Sequence, residues 1–367
     1  MLPARGFGSG PSRFNYRMDG TERYFDNAAT TPLDPSVREA MAPFLAEAFG
    51  NAHSIHGWGL RAHDAVEHAR EQVARVIGAE DPSQITFTSG ATESNNWVLK
   101  AASEIAISPF EHSSMREPAI TRGATLLGVR EERPSLPRLV SVMSVNNEVG
   151  TIWHAPDYAQ PGDLIHSDIT QAVGKVPVSV EGLDFASFSG HKFYGPKGVG
   201  ALYAKDQPPE PLIRGGEQEH GARGGTLNVP AIVGMGVAAE IAIEEQPENY
   251  RRATELRAIL LDGLNGLLDW QVNGGDRVSP FILSLSFHGL EGEALVLDLD
   301  RAGFAISAGA ACSSRSTEPS HVLTAFGLEP EWRRGTIRIS FGRFNTVDAA
   351  ANLARSLRTF VETMRTK

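Results

Sequence analysis

Lys192 is the residue whose surroundings first suggest chemistry. It lies in the glycine-rich segment Ser189-Gly-His-Lys-Phe-Tyr-Gly-Pro-Lys-Gly, directly after a predicted strand. A lysine that is held by a turn at the end of a strand can form a Schiff base with a carbonyl compound. Most lysines in glycine-rich loops are only solvated, so the segment by itself leaves both interpretations open.

Two further features favour the chemical interpretation. Asp168 ends another predicted strand, and the turn Ser89-Gly-Ala-Thr-Glu joins a strand to a helix. Pyridoxal phosphate chemistry requires a lysine that holds the aldehyde and a carboxylate that keeps the pyridine nitrogen protonated. The turn offers backbone amides to an anion, most often phosphate, although such turns are common without a ligand. Because ligands of open α/β sheets bind at the carboxyl ends of strands, the three features together predict a pyridoxal phosphate site.

The elements that position these residues are short buried strands alternating with helices. Asp34-Pro35 starts one predicted helix, a second covers residues 59–77, and a third starts at about Thr92. Strands are predicted at residues 84–88, 139–145, 164–166, 185–188 and 199–204. This alternation predicts an α/β domain with a largely parallel sheet.

The carboxyl-terminal third has a different pattern. From about Asn228 two helices are predicted, the second near residues 256–268. Strands are then predicted at residues 281–287 and 336–341, and a terminal amphipathic helix from Thr346 to about Met364. This part of the chain predicts a smaller α+β domain.

Length and composition limit the possible functions. The 367 residues allow two or three domains, and the net charge of −10 disfavours nucleic-acid binding as the main activity. The longest apolar run, at residues 231–239, is too short to cross a membrane. The single cysteine, Cys312, excludes an intrachain disulfide and any CxxC site, and it favours a reducing compartment. We therefore expect a cytoplasmic protein without a metal site.

Six motifs resemble those of the NifS/IscS-like cysteine desulfurases, which are class V aminotransferase-family enzymes of pyridoxal phosphate fold-type I. In the family's order they are Tyr24-Phe-Asp-Asn-Ala-Ala-Thr-Thr, Ser89-Gly-Ala-Thr-Glu-Ser, Asn146-Asn-Glu-Val-Gly, Asp168-Ile-Thr-Gln, the segment around Lys192, and Ser307-Ala-Gly-Ala-Ala-Cys. The resemblance covers the chain from about Tyr24 to Thr346. It implies a homodimer. It also implies a large cofactor domain over residues 18–245, with a mostly parallel seven-stranded sheet flanked by helices, and a small α+β domain formed by residues 1–17 and 246–367.

The resemblance also implies roles for single residues. Lys192 is expected to hold pyridoxal 5'-phosphate, Asp168 to bind its pyridinium nitrogen, and Gln171 to donate to its ring oxygen. His112 is expected to stack over the ring and move protons, with Asn147 near the ring and the substrate. The phosphate is expected to be bound by Ala91, Thr92, Ser189 and His191, together with Thr226 from the neighbouring subunit. Arg338 is expected to bind the substrate carboxylate. A guanidinium fork fits a planar carboxylate better than an ammonium group does.

Cys312 determines the expected reaction. A lone cysteine is usually a buried packing residue, but this one lies in Ala308-Gly-Ala-Ala-Cys-Ser-Ser-Arg-Ser, whose small residues favour a surface loop that carries a thiol. The segment resembles that of the long-loop desulfurases. The implied reaction converts L-cysteine to L-alanine and leaves a persulfide on Cys312, whose sulfur passes to an acceptor or scaffold protein, as in iron–sulfur cluster assembly. The alternatives are another class V enzyme, such as a selenocysteine lyase or an aminotransferase, and a catalytically silent scaffold.

Three segments are shorter than is usual in this family, at residues 101–111, 118–138 and 151–163. The last of them contains Pro156 and Pro161 and is short for a parallel crossover connection. We therefore expect no full helix there.

Overall fold

A computed structural model describes residues 20–128, 138–309 and 320–366. The helices of this part of the chain are α1 (Pro35–Leu45), α2 (Gly57–Ile77), α3 (Ala91–Val98), α4 (Ser113–Thr121), α5 (Val229–Gly263), α6 (Gly292–Arg301), α7 (His321–Ala325), α8 (Pro330–Arg334) and α9 (Val347–Arg365). Its strands are β1 (Ile85–Thr88), β2 (Ile105–Ile107), β3 (Thr125–Leu126), β4 (Leu139–Ser141), β5 (Leu164–Asp168), β6 (Phe185–Ser189), β7 (Gly200–Ala204), β8 (Trp270–Asn273), β9 (Ile282–Phe287), β10 (Ser307–Ala308) and β11 (Thr336–Ser340).

The larger sheet of the described residues has seven strands in the order β1-β7-β6-β5-β4-β2-β3. The pairs from β6 through β5, β4 and β2 to β3 are parallel, and β7 runs antiparallel to both β6 and β1. β1 therefore points in the same direction as β6. This arrangement confirms the predicted α/β class with a mostly parallel seven-stranded sheet, and it places the ends of β1, β4, β5 and β6 at one edge.

A second sheet has the order β10-β11-β9-β8 and is antiparallel throughout. It shares a hydrophobic core with α6, α9 and the carboxyl-terminal half of α5. Phe25, from the amino-terminal motif, is fully buried in this same core. The amphipathic terminal helix is confirmed as α9, in which Leu353, Leu357 and Val361 are fully buried.

Helix α5 is one 35-residue helix where the sequence predicted two. Its first half, up to Ala242, packs in the core of the large sheet, and its second half, from Ala253, packs in the core of the small sheet. Pro247 lies between them and removes one backbone donor. Packing of both halves keeps the helix continuous, because tertiary burial contributes more to helical stability than local propensity does.

Other differences from the prediction are local. β4 ends at Ser141 and is shorter than the predicted strand, although Val142 and Ser144 still donate to the backbone of β5, and Val145 pairs with Ile152 in an isolated bridge. The connection from β4 to β5 holds a 3-10 turn at Ala155–Tyr158, as expected from its prolines. None of the described helices combines the length and the apolar character that crossing a membrane would need.

A buried ion pair attaches the loop before α5 to the large sheet. The Arg70 guanidinium, on α2, donates to both carboxylate oxygens of Glu219 at 2.8 and 2.9 Å. Glu219 also accepts the backbone N–H of Phe87 on β1 at 2.7 Å, although its own backbone is left-handed, with φ of 50°. Three donors therefore share one buried carboxylate, and the guanidinium also donates to Glu67 and to the Ile85 backbone oxygen.

We predict that Glu219→Ala lowers the free energy of unfolding by about 2–3 kcal/mol, because it leaves the buried Phe87 amide without an acceptor and leaves the buried Arg70 charge with only the more exposed Glu67 carboxylate and the Ile85 backbone oxygen as partners. The measurement is chemical denaturation at equal protein concentration. Glu217→Ala is the matched control, since this carboxylate is exposed in the same loop, and its effect is expected to stay within about 0.5 kcal/mol. Equal effects of the two substitutions would contradict the assignment.

Candidate active site

A cavity of about 280 Å³ opens at the carboxyl ends of the parallel strands. Ten of the twelve residues singled out in the sequence line it, namely Ala91, Thr92, His112, Asn147, Asp168, Gln171, Ser189, His191, Lys192 and Arg338. Thr226 does not line the cavity and is exposed on the surface. Cys312 lies outside the described residues. The strand ends thus bring together side chains that are far apart in sequence.

Lys192 is held against the amino-terminal motif. It ends the 3-10 turn Gly190–Lys192 that follows β6. Its Nζ donates to the backbone oxygens of Ala28 and Ala29, both at 2.7 Å. The amine therefore lies at the cavity wall with its direction fixed by two carbonyl groups.

Asp168 is the last residue of β5, and its side chain is fixed on both oxygens. Asn95 Nδ2 donates to Oδ2 at 2.8 Å, and the backbone N–H of Thr170 donates to Oδ1 at 3.0 Å. The residue is only 4% exposed and borders the cavity. The Thr170 hydroxyl, also at the cavity, is buried without a hydrogen-bond partner among the described residues. Such a group is typical of a site that takes a further polar ligand.

His112 is the N-cap of α4, and its contacts define its tautomer. The backbone N–H of Ser114 donates to Nδ1 at 3.1 Å, so Nδ1 is an acceptor and the proton of the neutral ring lies on Nε2. Burial lowers the pKa of His112 below its usual value, which favours this neutral form. The Ser114 hydroxyl accepts from Asn95, which links His112 to Asp168.

The first turn of α3 forms a polar cradle beside β6. The Ala91 N–H donates to Ser189 Oγ at 2.7 Å, and Thr92 follows on the cavity wall. The chain passes very close to β7 here, since a Cβ on Gly200 would lie 2.6 Å from the Gly90 Cα. Burial, together with the nearby Lys192 and Lys197 charges, lowers the pKa of His191 to about 4. Helix dipole and amides together favour an anion at this point.

Arg338 projects from β11 of the small sheet and is 3% exposed. Its guanidinium donates to Asp26 Oδ1 and to the Asn147 backbone oxygen, both at 2.8 Å. Its Nε is buried with no partner among the described residues. A planar ligand with a negative charge would satisfy this donor.

The described residues that flank the Cys312 segment are attached beside the cavity. Ser307 pairs directly with Arg338 in the sheet. Ser320 donates to the buried Glu148 carboxylate at 2.5 Å, next to the cavity residue Asn147. Burial raises the pKa of Glu148 to about 7.

The structure also shows site residues that sequence reasoning missed. Asp26, Ala28 and Ala29 lie in the quoted amino-terminal motif, but no single side chain there indicated a partner for Arg338 or Lys192. Asn95 follows directly after the quoted motif at Ser89, and only its contact with Asp168 identifies it. Glu111 is fully buried behind the site, where burial and then the Asp168 charge raise its pKa to about 8.

Comparison with known proteins agrees with this geometry. The family model Aminotransferase class-V matches residues 23–132 and 129–353. A cysteine desulfurase IscS from Dictyoglomus turgidum is 41% identical over 94% of this chain and 96% of its own. A solved NifS-like protein superposes with a TM-score of 0.84 at 36% identity, over 93% of this chain and 99% of that one. A structure described as SspA in complex with cysteine has a TM-score of 0.75 at 33% identity, over 88% and 100% of the two chains.

The matched residues include every described side chain of the cavity, and the similarity extends over nearly the whole chain. The chain therefore belongs to the class-V aminotransferase family and, within it, to the cysteine desulfurases of the IscS and NifS-like type.

Proposed function

We propose that the protein is a pyridoxal phosphate-dependent cysteine desulfurase, which converts L-cysteine to L-alanine and leaves the sulfur as a persulfide on Cys312. One observation carries this proposal. A single cavity is lined by an amine, Lys192, a buried carboxylate, Asp168, and a buried guanidinium, Arg338. The family of the chain supports the same reaction, since a relative that is 41% identical over 94% of this chain is named a cysteine desulfurase.

The groups around the cavity fit pyridoxal 5'-phosphate. Asp168 is an acceptor for a protonated pyridine nitrogen, and Gln171 carries amide donors for the ring oxygen. The phosphate matches the polar cradle formed by Ala91, Thr92 and Ser189, with His191 beside it. When bound, the cofactor supplies an electron sink that stabilises negative charge on the α-carbon of the amino acid.

The chain's own side chains orient the substrate and move its protons. Arg338 binds the substrate carboxylate through donors that include the unpartnered Nε, and this orientation lowers the barrier by several kcal/mol, about what fixed geometry contributes. Asn147 lies next to it on the cavity wall. His112 holds a proton at Nε2, where it can be donated to a substrate atom.

Cys312 receives the sulfur. Its thiolate attacks the substrate sulfur, the bond between that sulfur and the β-carbon breaks, and the new bond joins the two sulfur atoms. The thiol proton balances the equation, since L-cysteine and the thiol give L-alanine and the persulfide. Ser307 and Ser320, on either side of the segment, are fixed next to Arg338 and Asn147. This attachment supports delivery of the thiol to the cavity.

The protein acts as a homodimer in this proposal. Large apolar side chains are exposed on and before α2, with Phe49 at 71%, Ile55 at 94% and Trp58 at 59%. A patch of this kind is typical of a protein interface. Thr226 is exposed outside its own cavity, which suits a residue that completes the phosphate site of a partner subunit.

The sulfur passes from Cys312 to an acceptor or scaffold protein, in iron–sulfur cluster assembly or another sulfur-transfer route. A cysteine that receives sulfur must start each cycle as a free thiol, which a reducing compartment maintains, and the single cysteine offers no intrachain disulfide. We place the reaction in the cytoplasm on this ground.

Lys192 is predicted to be the residue that holds the cofactor. Borohydride reduction of the yellow protein, followed by digestion and mass spectrometry, is expected to find the cofactor on Lys192, because this amine lies on the cavity wall. Lys175 is the internal control, since it is buried close by but separated from the cavity by Gln171. Label on Lys175 or Lys197 would overturn the assignment.

Cys312→Ser is predicted to keep the fold, the bound cofactor and the binding of cysteine, yet to lose alanine and persulfide, because the hydroxyl cannot accept sulfur at a useful rate. Alanine formation and sulfide release are measured together. Ser313→Ala in the same segment is the control and is expected to stay active. Undiminished turnover of Cys312→Ser would favour the aminotransferase alternative, and a wild-type protein without turnover would favour the silent scaffold.

The dimeric site is predicted to show complementation. Lys192→Ala and Thr226→Ala are each expected to be inactive, and mixed heterodimers are expected to recover activity in the one site that carries neither change. The comparison is made after subunit exchange demonstrated with two different tags. Heterodimers that form and stay inactive would place Thr226 outside the partner's site.

A further inference from the structure

Lys175 is a second buried amine close to the cavity, and the proposed reaction gives it no task. It follows β5 in the turn after Asp168 and is only 5% exposed. Gly174 fixes its position, since φ there is 71° and a Cβ would lie about 3.0 Å from Ala242. Few lysines are buried to this extent without a specific partner.

The partner is a side chain of the cofactor site. Lys175 Nζ donates to Gln171 Oε1 at 2.7 Å. Gln171 Nε2 in turn donates to the Ala28 backbone oxygen at 2.8 Å, and the same oxygen accepts from Lys192 Nζ at 2.7 Å. A continuous series of hydrogen bonds therefore joins the two amines through one amide and one carbonyl group.

These contacts determine which way the Gln171 amide faces. An amide side chain can be turned over so that its oxygen and nitrogen exchange places. Here a donor lies on one side and an acceptor on the other, so the oxygen must face Lys175 and the nitrogen must face Ala28. Nε2 has two hydrogens, and the one that Ala28 does not take is left for a ligand of the cavity that Gln171 lines.

We propose that Lys175 is a positioning residue, which fixes the Gln171 amide so that an N–H is presented to the ring oxygen of the cofactor. The inference rests on the cofactor site of the proposed function. Removal of the Lys175 donor leaves the buried Oε1 of Gln171 without a partner, and the Ala28 oxygen alone then holds the amide. The side chain leaves this orientation, and its N–H is no longer presented to the ring oxygen.

The role depends on the donor and not on a positive charge. Burial, and then the charges of Lys192 and Arg338, lower the pKa of Lys175 well below its usual value. A neutral amine still has two N–H groups, so it can donate to Gln171 Oε1 at neutral pH. A charge at this position would add to an already cationic cavity, whereas a donor orients the amide at little electrostatic cost.

The test compares Lys175→Met, which removes the donor at similar length, with Lys175→Gln, which keeps an N–H donor but no charge. The readout is the pH midpoint of the cofactor's visible absorbance, which reports the proton shared between its ring oxygen and the Lys192 nitrogen. A donor to the ring oxygen stabilises the form that has lost this proton and so lowers the midpoint. Lys175→Met is expected to raise it by about one pH unit, the size of one hydrogen bond to a charged oxygen, and to weaken cofactor binding about tenfold.

The second expectation is that the effect acts through Gln171. Gln171→Ala is expected to shift the midpoint by a similar amount, and Lys175→Met in that background is expected to add less than about 0.3 unit. Lys175→Gln is expected to stay within about 0.3 unit of the wild type. Additive shifts in the double variant would overturn the proposal, since they would show a direct electrostatic or structural effect of Lys175.

The outcomes separate this inference from the proposed function. A wild-type protein that binds no pyridoxal phosphate would remove the proposed function and this inference with it. A wild-type protein that binds the cofactor, with unchanged midpoints in Lys175→Met, would remove this inference alone. If Lys175→Met does not fold, Lys175→Gln decides, because a midpoint like that of the wild type supports orientation by a donor and one like that of Gln171→Ala excludes it.

Discussion

The positions of Lys192 and Gln171 in the cavity both depend on hydrogen bonds to one atom, the backbone oxygen of Ala28. It accepts from Lys192 on the large sheet's edge and from Gln171 in the turn after β5. The same short segment pairs with the small sheet, where the Ser340 N–H donates to the Phe25 oxygen at 2.7 Å. Backbone oxygens bind donors without ionising, so this junction keeps its geometry across the pH range in which the side chains titrate. If the segment around Ala28 moved away, the Gln171 amide and the Lys192 amine would both lose this acceptor.

The charged groups around the cavity favour an anionic ligand. Lys192 and Arg338 face it, and the pKa values of His112, His191 and Lys175 all lie below their usual values, with burial as the main cause and neighbouring cations as a further one. These lowered pKa values favour the neutral forms of the three groups, which limits the positive charge around the cavity. The carboxylates of Asp168 and Asp26 lie close to the remaining cations. A phosphate and a carboxylate complete the balance, and their proposed places are the cradle at α3 and the free Nε of Arg338.

The sequence predicts the strands of this site better than its contacts. β1, β5, β6 and β7 are apolar, flanked by turn residues and placed within one or two residues of their actual bounds, so the carboxyl-end residues Asp168 and Ser189 could be assigned. The strands β2, β3, β8 and β10 have two to four residues and were not predicted, because segments this short show no clear period. Pairing with a neighbouring strand places them in the sheets. The task of Lys175 could not be predicted, because a lysine four residues from a glutamine is ordinarily a solvated pair. The burial of Lys175, which the sequence does not reveal, is what makes its hydrogen bond to Gln171 a fixed one.

The two sheets divide the work on an amino acid substrate between them. Lys192 and Asp168, the amine and the carboxylate of the proposed cofactor site, belong to the large sheet. Arg338 lies on β11, and Ser307 beside it precedes the Cys312 segment. The proposed carboxylate contact and the proposed sulfur acceptor therefore share one support. Asp26 joins this support to the Ala28 segment, because its carboxylate accepts from Arg338 and from the Ser307 hydroxyl, both at 2.8 Å. Asp26 therefore fixes both the proposed carboxylate-binding residue, Arg338, and Ser307, the residue that precedes the Cys312 segment, and it does so two residues before Ala28, whose oxygen accepts from Lys192.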